Sequence, residues 1–300
     1  MTTSTQPLGQ KVGPYKLIKL IGSGGQSAVY TAIHEKTNHM VVLRAMTIMV
    51  RDVDKGIKAC EEVLAEIMKL DVPNSVAIES FGHDNGLLYI AMNVMKGGTL
   101  LERMRRWNIG DPEKATQLPS VKEVLSIVAR LAIALDSLHQ QELVHGQLEP
   151  GSIMFNEKGE AYLADIGMTR LTKILYRLEA TNSFNMTKYS APELWDGYRP
   201  SASTDQYALA CIVYELFTGQ APFNAPSIFD LMQAHANDVA APPHYVRDSL
   251  PGSLAMIFWQ ALAKPVDRRF PNIMAFYNSL YEVLENWPSE PTDFLTFPLD

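Results

Sequence analysis

At Lys96-Gly97-Gly98 the chain changes character, and this discontinuity restricts the fold more than any other feature. Before it, short apolar runs bounded by turn residues read as strands over 15–20, 28–33, 40–45, 76–81 and 87–94. One helix interrupts them over 55–70, where Ile57, Val63, Ile67 and Leu70 recur at helical spacing. After it the chain reads mostly as helix. Ser120 and Glu123 form a candidate capping box for a helix whose stripe is Ile127, Leu131, Leu135 and Leu138. Further helices are expected over 205–218, 254–262 and 273–284, and a surface loop over 107–118. The pattern implies an α+β chain: a mainly antiparallel sheet with one main helix, then a helical part.

Composition narrows the functional classes. The 300 residues are 47% hydrophobic and 20% charged, which supports a substantial core. Acidic side chains number 33 against 26 basic ones, a formal charge of -7, so no overall positive field gathers nucleic acid. The longest apolar run, 207–217, is broken by Glu215 and too short for a bilayer, so no membrane insertion is expected. Two cysteines, Cys60 and Cys211, are too few for a disulfide framework or a zinc site. They read as reduced packing residues of a cytoplasmic protein.

The cluster Gly22-Ser23-Gly24-Gly25 follows the first strand. It reads either as a plain hairpin turn or as a phosphate cradle, since residues without side chains let backbone amides approach an anion. No helix follows directly, as a dinucleotide fingerprint needs, and the lysine and hydroxyl of a P-loop are missing.

Further motifs follow in order. Val41-Val42-Leu43-Arg44 lies on the third strand, His145-Gly146-Gln147-Leu148-Glu149-Pro150-Gly151-Ser152 precedes Asp165-Ile166-Gly167, and Ala191-Pro192-Glu193, Asp205 and Arg269 come later. Together with the glycine cluster these resemble the eukaryotic-type protein kinase family, its bacterial serine/threonine branch above all. The resemblance covers 15–283. It implies a bilobal fold with an N-lobe over 15–95, a C-lobe over 96–283, and flexible or surface-packed tails at 1–14 and 284–300. It places Gly22, Gly24, Val29, Val42, Arg44 and Met95 around a nucleotide, with Met92 as gatekeeper and Asp165 as a metal ligand. Glu193 would pair with Arg269, and Asp205 would anchor the catalytic loop.

Several positions depart from the family pattern. Gln147 stands where the family aspartate orients the acceptor hydroxyl, Glu149 replaces a phosphate-facing lysine, and Ser152 replaces a metal-binding asparagine. Gly146 replaces an arginine that receives a phosphorylated loop, Ser27 a loop glycine, Val42 an alanine and Arg44 a lysine. Guanidinium favours a fork to a carboxylate; the family's helix glutamate falls on Val63, Glu62 and Glu66 are both near enough to take its place, and Glu66, on a similar face to Val63, is the favoured partner. Thr172, Thr181, Ser183 and Thr187 read as surface hydroxyls.

The resemblance with these departures implies a pseudokinase: no enzyme, a scaffold that signals through a protein partner such as an active kinase, with weak or absent ATP binding. Two alternatives are an atypical active ATP-dependent serine/threonine phosphotransferase or nucleotidyl transferase, and a nucleotide-responsive binding module. The cofactor expectation accordingly spans ATP, with or without Mg²⁺, and none.

Overall fold

A computed structural model describes residues 5–24, 26–110, 118–176 and 186–287. In chain order the elements are β1 (Lys11–Val12), β2 (Tyr15–Gly24), β3 (Ser27–His34), β4 (Met40–Thr47), α1 (Val53–Ile67), β5 (Ile78–Asp84), β6 (Leu87–Met92), α2 (Leu100–Arg106) and α3 (Val121–Gln140). Then come β7 (Ile153–Phe155), β8 (Ala161–Leu163), α4 (Met168–Tyr176), α5 (Pro192–Trp195), α6 (Ala202–Thr218), α7 (Ile228–Asn237), α8 (Pro243–Val246), α9 (Leu254–Ala261) and α10 (Ile273–Leu284). They divide into two compact units, residues 1–97 with 154–183, and residues 98–153 with 184–300. This is the bilobal α+β architecture of antiparallel sheet plus helix and a mainly helical part.

In the first unit six strands run in the order β1-β2-β3-β4-β6-β5, every pair antiparallel. Alternation along the strands sorts side chains to two faces. Tyr15, Leu17, Tyr30, Leu43 and Ala91 gather on one face. Val42, Met46, Leu88, Ile90 and Met92 gather on the other, with Cys60 and Leu64 of α1 and Leu171 and Leu175 of α4. β2 is longer than expected. It continues through the glycines, pairing Gly22 with Val29 and Gly24 with Ser27, with register shifts between Leu17 and Lys19 and between Leu20 and Gly22. Cross-strand pairing overrides the weak strand preference of glycine, so the expected turn at 22–25 lies further along. Gly25 itself is outside the described residues. α1 begins earlier than expected, where Asp52 accepts from Lys55 N at 3.1 Å, and ends at Ile67.

In the second unit α6 is buried on every side, from Thr204 to Thr218, and packs against α3, α9 and α10. It ends at Gly219, whose φ of 82° suits glycine. Ser120 caps α3 as expected, its hydroxyl accepting from Glu123 N at 3.2 Å. A complete capping box went unread at α2: Thr99 Oγ1 accepts from Glu102 N at 3.1 Å, and Glu102 Oε2 accepts from Thr99 N at 2.9 Å. Cys60 and Cys211 are free and buried. No helix among the described residues is long and apolar enough to cross a membrane. Residues 111–117 of the expected surface loop, and Thr181 and Ser183, lie outside the described residues.

Candidate functional site

The candidate residues fall in both units. The first unit holds Gly22, Gly24, Val29, Val42, Arg44, Met95 and Asp165; the second holds Gln147, Glu149 and Ser152.

In the first unit the β3–β4 register sets Val29 opposite Arg44, on the face that also carries Val42. Arg44 Nη2 donates to Asp165 Oδ1 at 2.6 Å, both side chains being 22% exposed. The expectation that Glu66 partners Arg44 is therefore corrected. Glu66 instead takes a two-toothed bond from Arg170 on α4, Nη1 to Oε1 and Nη2 to Oε2, each 2.9 Å. That bond, with the Arg170 charge, overcomes a small burial effect and holds the Glu66 carboxyl below its ordinary range. The physical reason for the exchange is α4, which starts directly after Gly167 and packs Met168, Leu171 and Leu175 into the cluster of α1 and β4. Its position gives Glu66 a cation of its own and leaves Arg44 to Asp165.

Asp165 sits at φ 60°, a left-handed conformation costly for a residue with a side chain. Gly167, at φ 79°, lies in the left-handed region that favours glycine, and an added Cβ would also lie 2.0 Å from Ile67 Cδ1, the movable end of a side chain. Gly22 and Gly24 differ, since a Cβ on either would meet nothing within 4 Å. Their lack of side chains leaves the approach to this strand open rather than relieving a clash. Met92 is buried, and Met92, Asp165, Met168, Ile67 and Ser75 line a cavity of about 260 Å³.

In the second unit Asp205 organises the loop that carries Gln147. One carboxylate oxygen accepts from Gly146 N at 2.8 Å; the other accepts from His145 N at 2.8 Å and faces His139 Nε2, also at 2.8 Å. His139 was missed from the sequence, where it reads as one polar residue at the end of α3. Gly146 has φ 76°, so glycine removes the strain an arginine would carry there. Ser152 is buried, and its hydroxyl is spent on the loop, donating to Glu149 O at 2.8 Å and accepting from Glu149 N at 3.2 Å. Gln147 and Glu149 line a small recess with Thr187, Tyr189 and Ser190. Behind it Tyr189 donates to Glu215 Oε2 at 2.9 Å, while Lys188 Nζ meets Glu215 Oε1 at 2.5 Å.

The later landmarks pair as expected. Arg269 Nη1 and Nη2 reach Glu193 Oε1 and Oε2, each at 2.8 Å.

With this geometry in place, the comparison with known sequences is decisive: the family pattern described as protein kinase domain matches residues 15–264. The chain belongs to the protein kinase domain family. It resembles the serine/threonine-protein kinase PknD of Mycobacterium tuberculosis, 27% identical over 271 residues, covering 90% of this chain and 40% of that protein. The serine/threonine-protein kinase PknE of Mycobacterium bovis is 29% identical over 262 residues, covering 87% of this chain and 44% of that protein. The chain thus spans less than half the length of these relatives. The solved kinase domain of Mycobacterium tuberculosis PknI superposes with a TM-score of 0.68 at 23% identity, covering 93% of this chain and 99% of that one. That likeness shows the fold.

The reading of this kinase-family chain as no enzyme is corrected here. Proteins named serine/threonine kinases align with it over about nine-tenths of its length, which argues against an inactive chain. Gln147 does not by itself imply inactivity, because phosphoryl transfer depends chiefly on positioning and charge.

The residues around Arg44 suit a nucleotide phosphate. Ser27 Oγ and Arg44 Nε are both buried polar atoms without a hydrogen-bond partner, and both are donors. For a metal, Asp165 offers one carboxylate, and no group of three or more His, Cys, Asp or Glu suited to a metal ion occurs among the described residues.

Proposed function

We propose that this protein kinase domain is an ATP-dependent serine/threonine phosphotransferase acting on proteins, in which an amide, Gln147, orients the acceptor hydroxyl. The observation that carries the reading is the anchored loop: His145 N and Gly146 N both donate to the buried Asp205, which holds the backbone that presents Gln147.

Phosphoryl transfer passes through a loose transition state, in which the attacking oxygen has made little bond and its proton has gained little acidity. Orientation of that oxygen then contributes more than removal of its proton. The carbonyl oxygen of Gln147 can accept the hydroxyl hydrogen and fix its direction, although it cannot take the proton away. Arg44 supplies positive charge beside the phosphates, and Asp165 is the residue that would hold Mg²⁺, whose contribution when bound is to offset charge on the phosphate oxygens. Glu149 sets a negative charge near the reacting group and slows transfer. Free buried thiols at Cys60 and Cys211 fit a reducing, cytoplasmic location.

The test is transfer from radiolabelled ATP to generic basic and acidic protein acceptors with Mg²⁺, using the wild-type chain, Asp165→Ala and Gln147→Asp. Wild type should transfer slowly, Asp165→Ala not at all, and Gln147→Asp at most roughly ten-fold faster, because orienting the hydroxyl outweighs removing its proton. Intact mass of the product separates added phosphate from added nucleotide. No transfer by wild type or by Gln147→Asp would overturn the proposal.

A further inference from the structure

Residues 249–263 contain no charged side chain. Within this run α9 turns Leu254, Ala255, Ile257, Phe258 and Ala261 into the core of the second unit and leaves Met256, Trp259 and Gln260 to solvent. The solvent side of a packed helix ordinarily carries charged or polar residues opposite its apolar stripe. Here two of the three are large and apolar, and because they stand three positions apart they share one side of the helix. Met256 is 66% exposed. Trp259 Nε1 donates to Ala240 O at 3.1 Å, which brings the exposed Val239 to the far end of the same strip. The amide of Gln260 beside it can donate to and accept from an extended backbone.

The chain itself arrives at the near end of this strip. Trp287 Nε1 donates to Ser249 O at 3.0 Å, in the turn that leads into α9, and α10 packs along α9. Residues 288–300, outside the described residues, follow from that point. In their sequence Leu295, Phe297 and Leu299 alternate with Thr296 and Pro298, so an extended backbone sets all three apolar side chains on one side. Glu290, Asp293 and Asp300 flank 294–299, which is itself free of charge. Eight extended residues, from Trp287 to Leu295, reach up to about 26 Å, whereas the eight residues of α9 span about 12 Å. Three partly covered side chains fall short of the roughly 800 Å² per partner that a specific interface between two proteins buries. The strip fits one extended segment better than a second copy.

We propose that residues 294–299 dock in extended form along the Met256 and Trp259 side of α9, where Leu295, Phe297 and Leu299 cover Met256, Trp259 and Val239. The strip is then an interaction surface for the chain's own C-terminal segment, fixed at its near end by Trp287.

Oxidation of the full chain by hydrogen peroxide, followed by peptide mass spectrometry, reads the cover at Met256, since a thioether must be reached to become a sulfoxide. Met49, 54% exposed, is the internal standard. Uncovered, Met256 should oxidise at least as fast as Met49. Covered, it should oxidise roughly ten-fold more slowly, as for a docked segment that is open about one-tenth of the time. The triple variant Leu295→Glu, Phe297→Glu, Leu299→Glu should bring Met256 back to the rate of Met49 while Met40 and Met49 keep theirs, which also shows that the fold is intact. Equal rates at Met256 and Met49 in wild type, or protection that survives in the triple variant, would overturn the proposal. Protection that disappears on dilution would overturn it too, by assigning the strip to a second copy of the chain.

Discussion

Replacing Glu193 by glutamine keeps the shape of the side chain and removes one charge from a nearly closed site. Arg269 is fully buried and Glu193 is 13% exposed, so solvent cannot take over the lost interaction. One of the two oxygens that accept from Arg269 becomes an NH₂ facing another donor, and a buried cation is left without its anion. Removing one partner of such a pair costs about 3–5 kcal/mol. Arg269 keeps other acceptors, Ala263 O at 2.8 Å, Ser203 O at 3.0 Å and Lys264 O at 3.3 Å, and its guanidinium lies 4.8 Å from the Tyr207 ring. These place the cost at the lower end, about 3 kcal/mol. At 2–4 °C per kcal/mol for a unit of this size, Tm should fall by roughly 6–12 °C at pH 7, measured by scanning calorimetry. The pH dependence has a definite sign. Burial alone would raise the Glu193 carboxyl, but the fork and charge of Arg269 outweigh it and hold the group below its ordinary 4.5. A group lowered on folding contributes stability above its unfolded value, and that contribution is lost as pH falls through the folded one. The gap between wild type and Glu193→Gln should therefore close below about pH 4. A variant within about 2 °C of wild type at pH 7, or a gap unchanged at pH 3, would refute the reasoning.

Gly167→Ala combines a positive φ with a Cβ 2.0 Å from Ile67 Cδ1, and should cost about 1–3 kcal/mol in chemical denaturation. Adding Ile67→Ala should not restore the backbone part of that loss. His235 is buried against Tyr207 Oη at 2.9 Å; desolvation, then the charge of Lys264, lower its pKa from 6.5 to about 3. Its neutral form is the folded form, so its stability contribution is complete above about pH 6.5 and drains away towards pH 3, at up to about 1.4 kcal/mol per pH unit. His235→Phe should flatten the denaturant midpoint between pH 6 and pH 4, and an equally steep profile in the variant would contradict this.

The frame was legible where its rules are local. α10 matches the helix expected from apolar spacing alone, and Ser120 announces α3 with its own side chain. Glu193 with Arg269, and Asp205 with the loop at 145–146, follow from a resemblance whose motifs are intact. What escaped depends on distant parts of the chain. Arg44 and Asp165 are 121 positions apart, and Glu66 and Arg170 are 104 apart. The sequence makes a guanidinium–carboxylate fork at Arg44 plausible, but three-dimensional packing decides which carboxylate it meets. α4 carried a readable spacing in Met168, Leu171 and Leu175, yet a helix this short is marginal alone and exists because α1 and β4 take its apolar side. The strand through Gly22 and Gly24 was hidden for the same reason: glycine has no strand preference of its own, and β3 supplies the pairing.

Because α4 begins directly after Gly167, Asp165 and Tyr176 stand at the two ends of one short stretch of chain. Between them Leu171 and Leu175 are both fully buried, and their burial stabilises the helix by roughly 1.5–3 kcal/mol for each side chain. Without α4, the apolar side of α1 and β4 that those leucines cover would face water. The short helix is thus held by its buried side more than by its own backbone, and any change that thins that apolar contact loosens the segment following Asp165.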